Sequence, residues 1–303
     1  MNTNNERSGK SDSKRQRLRV SIRFILIAMA ILCVFLAYFR RYRLNYLEKQ
    51  HITSLIESHD GHVDWMPSSQ LYTYDHQYNY YGRRWLNTVE PLDAREFWKG
   101  FLSTEKTELH VELNPGTVLS PDELNLLTSE SISSLSIYNW RSPAIPFCFS
   151  STTQYIQIEN YGDALTENLL TIRPTKASWI VVYCDTFTAE QLKILSQLSA
   201  AKFLSLNAWV ESPTADAIRQ LKGIRALEHL DLGGFEELQY LDVVRIVDSM
   251  PKLTDLASDS HAMNQSELEE LTTAFPKVNF YFSSPEQGEM LVQPGSCQFA
   301  PKQ

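Results

Sequence analysis

The stretch Leu227–Phe235, "LEHLDLGGF", decides how the chain is read. Its apolar residues Leu227, Leu230 and Leu232 stand in the spacing LxxLxL. In an extended backbone Leu230 and Leu232 face one way, while His229 and Asp231 face the other. Standing alone, the stretch is one strand followed by a glycine turn. Recurring at a fixed interval, it is one copy of a stacked unit, and function moves from a pocket to a surface.

It does recur. Apolar residues two apart stand at Val111/Leu113, Leu135/Ile137, Ile156/Ile158, Ile180/Val182, Leu204/Leu206 and Leu230/Leu232. Their first members are 24, 21, 24, 24 and 26 residues apart. A degenerate copy is read at Leu253/Leu256, and Val278/Phe280 closes the series 48 residues after Leu230. Helix-start signals fall between the pairs. Ser120 precedes Pro121 and is followed by Glu123, the arrangement of a capping box. Thr188 with Gln191 and Ser266 with Glu269 repeat it, and Ser212–Pro213 opens another helix. A strand, a turn and a capped helix in so short a unit cannot bury an apolar face alone, so copies must stack. The expectation is an α/β chain with a leucine-rich-repeat-like solenoid over residues 106–282, a short parallel sheet on the concave side and helices on the convex side.

Ahead of the array lies "FILIAMAILCVFLAYF", Phe24–Phe39, sixteen residues without a charge. With Val20–Arg23 the run approaches the roughly 20 residues that a bilayer core requires. A core helix of a soluble domain would carry a polar face, and this run has none. A cleaved leader would end in small residues, whereas "AYFRRYR" follows here. The reading is a disordered basic tail at 1–19, a transmembrane anchor at 20–39, a juxtamembrane helix and N-terminal cap at 40–105, and a loose tail at 283–303. Within the cap, "LNYLEKQHITSLIES" and "REFWKGFL" read as helices and "GHVDWM" as a strand. Seven basic residues precede Phe24 and four follow Phe39 closely, which favours a cytoplasmic N-terminus and a C-terminal domain outside the cytoplasmic membrane.

In this order of parts the chain resembles the membrane-anchored leucine-rich-repeat-like proteins that planctomycete bacteria encode in large numbers. The resemblance runs from "RVSIRFILIAMAILCVFLAYF" through "SLIESHDGHVDWMP" and the LxxLxL units to "LTTAFPKVNFYF", about residues 18–282. It implies a membrane-tethered repeat domain, brings no catalytic residues with it, and extends to proteins that mostly lack a known activity. The aromatic stretch at 72–85 and the missing repeat asparagine in most copies depart from the pattern.

Charge divides sharply along the chain. Residues 1–43 hold ten of the 28 Lys/Arg against Glu6 and Asp12, a local charge of +8. The remainder is left at −16, which repels phosphate backbones and argues against nucleic-acid binding. Cys33 lies in the apolar run, and Cys148, Cys184 and Cys297 show no zinc-ligand spacing. A single disulfide among those three is left open. No metal or cofactor is expected.

Catalytic motifs such as GxSxG, HExxH and GxxxxGK[ST] do not occur. "SHDGH" (His59, Asp60, Gly61, His62) is read as a tight turn between helix and strand. The stronger candidate is the face of the sheet opposite the buried pairs. There Tyr155, Trp179, Phe203 and His229 should align in one column, with Val181, Tyr183 and Asp231 beside them, either as a surface for a protein or peptide partner or as a patch covered by the chain's own loops or tail or altered by a local shift of strand register. Alternating Tyr72, Tyr74, His76, Tyr78 and Tyr80 read as a strand or hairpin arm whose one aromatic face packs on the cap, with stacking on a glycan or a peptide as the alternative. The alternative reading is a hydrolase-like enzyme with a dispersed site drawn from His59, Asp60, His62, His110, Glu112, His229 and Asp231.

Overall fold

The computed structural model describes residues 9–67, 107–141, 148–162, 164–173, 175–211, 215–235, 238–258, 262–284, 288–293 and 296–297. They form a mixed α/β structure in which strands and short helices alternate along the chain. The strands are β1 (His62–Pro67), β2 (Thr107–Leu113), β3 (Ile132–Tyr138), β4 (Tyr155–Asn160), β5 (Trp179–Thr186) and β6 (Phe203–Glu211). β7 (His229–Gly233), β8 (Asp255–Ser258), β9 (Asn279–Ser284), β10 (Gly288–Gln293) and β11 (Ser296–Cys297) complete a single sheet whose spatial order is the chain order. Strands β2 to β9 run parallel, with β1 antiparallel on one side and β10 and β11 antiparallel on the other.

Register explains the burial. Val111, Leu135, Ile156, Ile180, Leu204, Leu230, Leu256 and Phe280 pair across eight strands and are all buried. Two residues on, Leu113, Ile137, Ile158, Val182, Leu206, Leu232, Ser258 and Phe282 make a second buried row. At the last two copies this corrects the expectation from sequence. Leu253 and Val278 are not strand residues but lie in the turn before the strand, as Leu227 does. Their amides donate to Met250 O, Phe275 O and, for Leu227, Ile224 O at 3.0–3.2 Å. Ser258 hides the true register because it breaks the apolar pair. Its hydroxyl donates to Phe235 O at 3.3 Å, which lets a polar residue occupy a core row.

A second repeat lies in the backbone just ahead of the strands. The carbonyl of Gln154 accepts from the amides of Ser178 and Trp179. Ser178 O likewise takes Lys202 and Phe203, Lys202 O takes Glu228 and His229, and Glu228 O takes Thr254 and Asp255. Each turn is thereby tied to the next at one position.

The helices close the other side of the core: α2 (Pro121–Leu124, continuing as a 3-10 turn), α3 (Leu165–Ile172), α4 (Ala189–Leu195), α5 (Ala215–Ile218), α6 (Tyr240–Ser249) and α7 (Gln265–Ala274). They bury Leu124, Leu169, Leu192, Leu195, Val243, Ile246 and Leu271 against the sheet. Ser120 with Glu123 and Thr188 with Gln191 form the expected capping boxes. The last helix differs, since its box is Asn264 with Glu267 rather than Ser266 with Glu269. Asparagine caps as well as serine does, and starting at Asn264 puts Leu268 and Leu271 into the core. Ser212 and Pro213 lie outside the described residues.

The N-terminal helix α1 runs unbroken from Gly9 to Ser58. Its most apolar window has a mean hydropathy of 2.6 and no buried residues, so it is long and apolar enough to cross a membrane. The tail expected to be disordered is helical from Gly9. With neither Pro nor a further Gly after that point, nothing stops a helix nucleated in the apolar run from propagating backwards. At its other end Ile52 and Ile56 are buried, Tyr46 meets Trp65 edge-on at 5.3 Å, and Trp65 Nε1 donates to Thr53 Oγ1 at 2.8 Å. Residues 288–293 and 296–297, expected to be loose, extend the sheet as β10 and β11 by pairing with the free edge of β9. The segments "YTYDHQYNYYGRRW" and "REFWKGFL" lie outside the described residues.

The glycines of "LEHLDLGGF" have distinct reasons. Gly234 has φ +76°, and a Cβ there would stand 1.9 Å from Ala208 O on the neighbouring strand. We therefore expect Gly234→Ala to destabilise the fold by about 2 kcal/mol or more, from the left-handed backbone and the backbone clash together. Urea unfolding followed by circular dichroism measures it, and a change below about 0.5 kcal/mol would refute this account of the turn.

Candidate binding face

Residues alternating with the buried rows point to the opposite face. Across β1 to β9 one column reads Asp64, His110, Ser134, Tyr155, Trp179, Phe203, His229, Asp255, Asn279. The next contains His62, Glu112, Ser136, Gln157, Val181, Ser205, Asp231, Ala257 and Tyr281. Tyr155, Trp179, Phe203 and His229 do stand side by side. The Trp179 and Phe203 rings stack at 4.0 Å and 20°, and Phe203 meets His229 at 6.2 Å.

The expected open aromatic patch needs one correction. Phe203 is only 3% exposed and Val181 only 2%, although neither belongs to the core between sheet and helices. Phe203 is enclosed by the Trp179 ring on one side and His229 on the other. Val181 is a short side chain between Trp179 and Tyr183, which rise above it on its own strand. Tyr155, Trp179, Tyr183, His229 and Asp231 are half-buried and form the accessible part of the predicted set.

Polar residues converge at two places on this face. Near β2, His110 Nδ1 contacts Ser134 Oγ at 2.5 Å and its Nε2 contacts Glu112 Oε1 at 3.2 Å. On the neighbouring strand His62 Nε2 meets Asp64 Oδ1 at 3.2 Å. A hydroxyl, an imidazole and a carboxylate in series suggest a nucleophile, but His110 and Ser134 are fully buried, so no substrate reaches the oxygen. This is a buried polar network; alignment of the repeats puts Ser134 beside His110, and the structure adds the contact between them.

The second place is centred on Asp255. Its Oδ2 lies 2.9 Å from His229 Nδ1 and accepts from Thr254 Oγ1 at 2.6 Å. Its Oδ1 accepts from Asn279 Nδ2 at 3.0 Å and from the Tyr281 hydroxyl at 3.3 Å. Burial pushes the carboxyl up, but hydrogen bonds from His229, Thr254 and Asn279 outweigh it and hold it well below the usual carboxylate range. Beside it Ser205 Oγ donates to Asp231 Oδ2 at 2.7 Å, and Asn207 Nδ2 donates to Ser205 Oγ at 2.9 Å. Sequence reading missed Asp255, Asn279 and Tyr281 because the last two copies were aligned on Leu253 and Val278. Adding Leu256 to the core row finds Asp255 at once.

"SHDGH" is the expected turn. The amides of His59 and Gly61 both donate to Ile56 O, and Asp60 has φ +63°. His59 is drawn to Glu123 at 3.2 Å and His62 to Asp64, so the two histidines serve different carboxylates. Among the described residues no group of three or more His, Cys, Asp or Glu is arranged to hold a metal. Cys148 and Cys184 are free thiols. Burial, with Asp185 adding to it, pushes the Cys184 thiol up to about 12. Comparison with protein-family models, curated proteins and solved structures found no match.

Two measurements test this description. Phe203→Ala should cost about 3–4 kcal/mol, as for a buried aromatic, and a loss below about 1 kcal/mol would mean an open face. Asp255→Asn should cost about 1–2 kcal/mol at neutral pH, since the charge-assisted bonds weaken. Because the folded-state pKa is depressed, the stabilisation is present above about pH 4 and disappears as pH falls below it. Thermal melts of both chains should therefore converge in acid; a constant difference would show that the charge of Asp255 is irrelevant.

Proposed function

We propose that the chain is a membrane-tethered, non-enzymatic interaction module: a leucine-rich-repeat-like solenoid anchored by α1, with the face opposite its helices turned to a protein or peptide partner. The observation that carries the reading is the in-register pairing of the LxL rows across eight parallel strands, with one strand and one connecting segment per copy. Such stacked units present a broad side-chain grid rather than a cleft. Apolar side chains of α1 exposed from Ile22 to Leu47 support the tether. The excess of basic residues ahead of Phe24 supports a single pass through the cytoplasmic membrane with the strand-bearing body outside. The resemblance to planctomycete repeat proteins supports the order of anchor and repeats. The buried state of His110 and Ser134 weighs against the enzyme alternative.

The tether is tested by fractionation. The full chain should sediment with membranes and resist carbonate extraction, whereas a chain lacking residues 1–43 should remain in the supernatant. Sedimentation of the truncated chain with membranes would remove α1 as the anchor. The binding reading is tested with a photo-crosslinking amino acid at Tyr155 or Tyr183, compared with the helix-side position Lys193, in cells of the native host. A discrete adduct from the first two positions alone is expected. Adducts from all three, or from none, would end the interaction reading.

A further inference from the structure

The interaction reading, on which this inference rests, leaves the chemistry of the partner open. Three observations narrow it. None of the eleven strands contains a Lys or Arg, while β1 to β9 carry Asp64, Glu108, Glu112, Glu159, Asp185, Glu211, Asp231 and Asp255. A surface of that composition disfavours an anionic ligand and favours a cationic one.

The second observation is a β-bulge. Cys184 pairs with Ala208, but Thr186 pairs with Glu211, so Asp185 on β5 faces two residues, Trp209 and Val210, on β6. Bulges bend a strand and re-aim its side chains. Here Trp209 is turned out to 66% exposure and its neighbour Val210 is also exposed. Most of this tryptophan is therefore open to solvent at the end of its strand.

The third is the neighbouring strand end. Asn160 pairs with Cys184, which places Tyr161 next to Asp185. Asn139, itself at φ +47°, holds this end by accepting from the Tyr161 amide at 2.8 Å. The Tyr161 hydroxyl donates to Glu159 Oε1 at 2.9 Å, and the residue remains 42% exposed. Loss of water around the hydroxyl, its bond to Glu159, and the nearby Asp185 and Tyr183 push it up to about 12, which agrees with convergence of these groups. Among the described residues neither Glu159 nor Asp185 is in an ion pair.

We propose that Glu159, Tyr161, Asp185 and Trp209 form a recognition point for an arginine or lysine side chain of a basic polypeptide partner. Two carboxylates supply the counter-charge, and the faces of Trp209 and Tyr161 supply cation–π contacts. An apolar occupant would desolvate both carboxylates without a partner, and an anion would be repelled by them. The half-buried Tyr183 and Asn207 continue the surface across neighbouring strands about 4.8 Å apart, which suits an extended chain rather than a lone cation.

The test uses the full chain in an uncharged detergent and fluorescein-labelled hexa-arginine, read by fluorescence anisotropy. Hexa-serine, hexa-glutamate and the small polycation spermine serve as competitors. Hexa-arginine should bind, more weakly in high salt, and Asp185→Asn and Trp209→Ala should each weaken it about tenfold. Melting temperatures of both variants should stay at the wild-type value. Unchanged affinity in the variants would reduce the effect to diffuse attraction by an acidic body and overturn the proposal. Competition by spermine at equal concentration would overturn the polypeptide part of it. Competition by hexa-serine that depends on Trp209 would discard cation selectivity yet leave an interaction surface standing. If no peptide binds, the cation site falls, while the crosslinking test decides the broader reading separately.

Discussion

Everything in this molecule depends on the hydrogen-bonded tie between one turn and the next. The carbonyls of Gln154, Ser178, Lys202 and Glu228 each take two amides from the following copy. That tie sets where β5, β6, β7 and β8 begin, and a shift by one residue would exchange their buried and outward rows completely. Leu204 and Leu206 lie in the core, and Phe203 and Ser205 on the other face, because Ser178 O holds the amides of Lys202 and Phe203. The aromatic stack of Trp179 on Phe203 and the Asp255 network are consequences of the same alignment.

Much of this was legible in the chain itself. The LxL pairs from Val111 to Leu232 predicted the register correctly because their apolar residues are unambiguous and evenly spaced. Ser120 and Thr188 announced their helices through local hydrogen bonds that need no tertiary context. Legibility failed where a different residue satisfied the same physical need. Ser258 replaces a leucine by bonding Phe235 O, and Asn264 replaces a serine cap. Neither substitution leaves a periodic trace.

The outward face was harder to read for another reason. Alternation says which residues leave the core, but not whether they reach water. Phe203 and Trp209 belong to the same strand and the same chemical class, yet the first is enclosed by its neighbours and the second projects. The difference lies in a single extra residue at the β5–β6 bulge, which no composition or spacing rule shows in advance. His110 and Ser134, 24 residues apart, fall in one column by the same repeat, yet alternation alone does not show that both are buried and in contact.

The joint between α1 and the sheet has a mechanical consequence. About thirteen residues, roughly 20 Å of helix, separate the end of the apolar run at Phe39 from Ile52, which is buried beside the first strands. No flexible linker interrupts that distance, and Ser129 reaches back to Glu48 to brace it. With α1 as the proposed anchor, the sheet is held like a flag on a stiff pole, at a set height and a set azimuth. Tilting or rotating the helix in the bilayer would swing the Trp209 end of the face through an arc, so lipid thickness and helix packing would govern which partners it can meet.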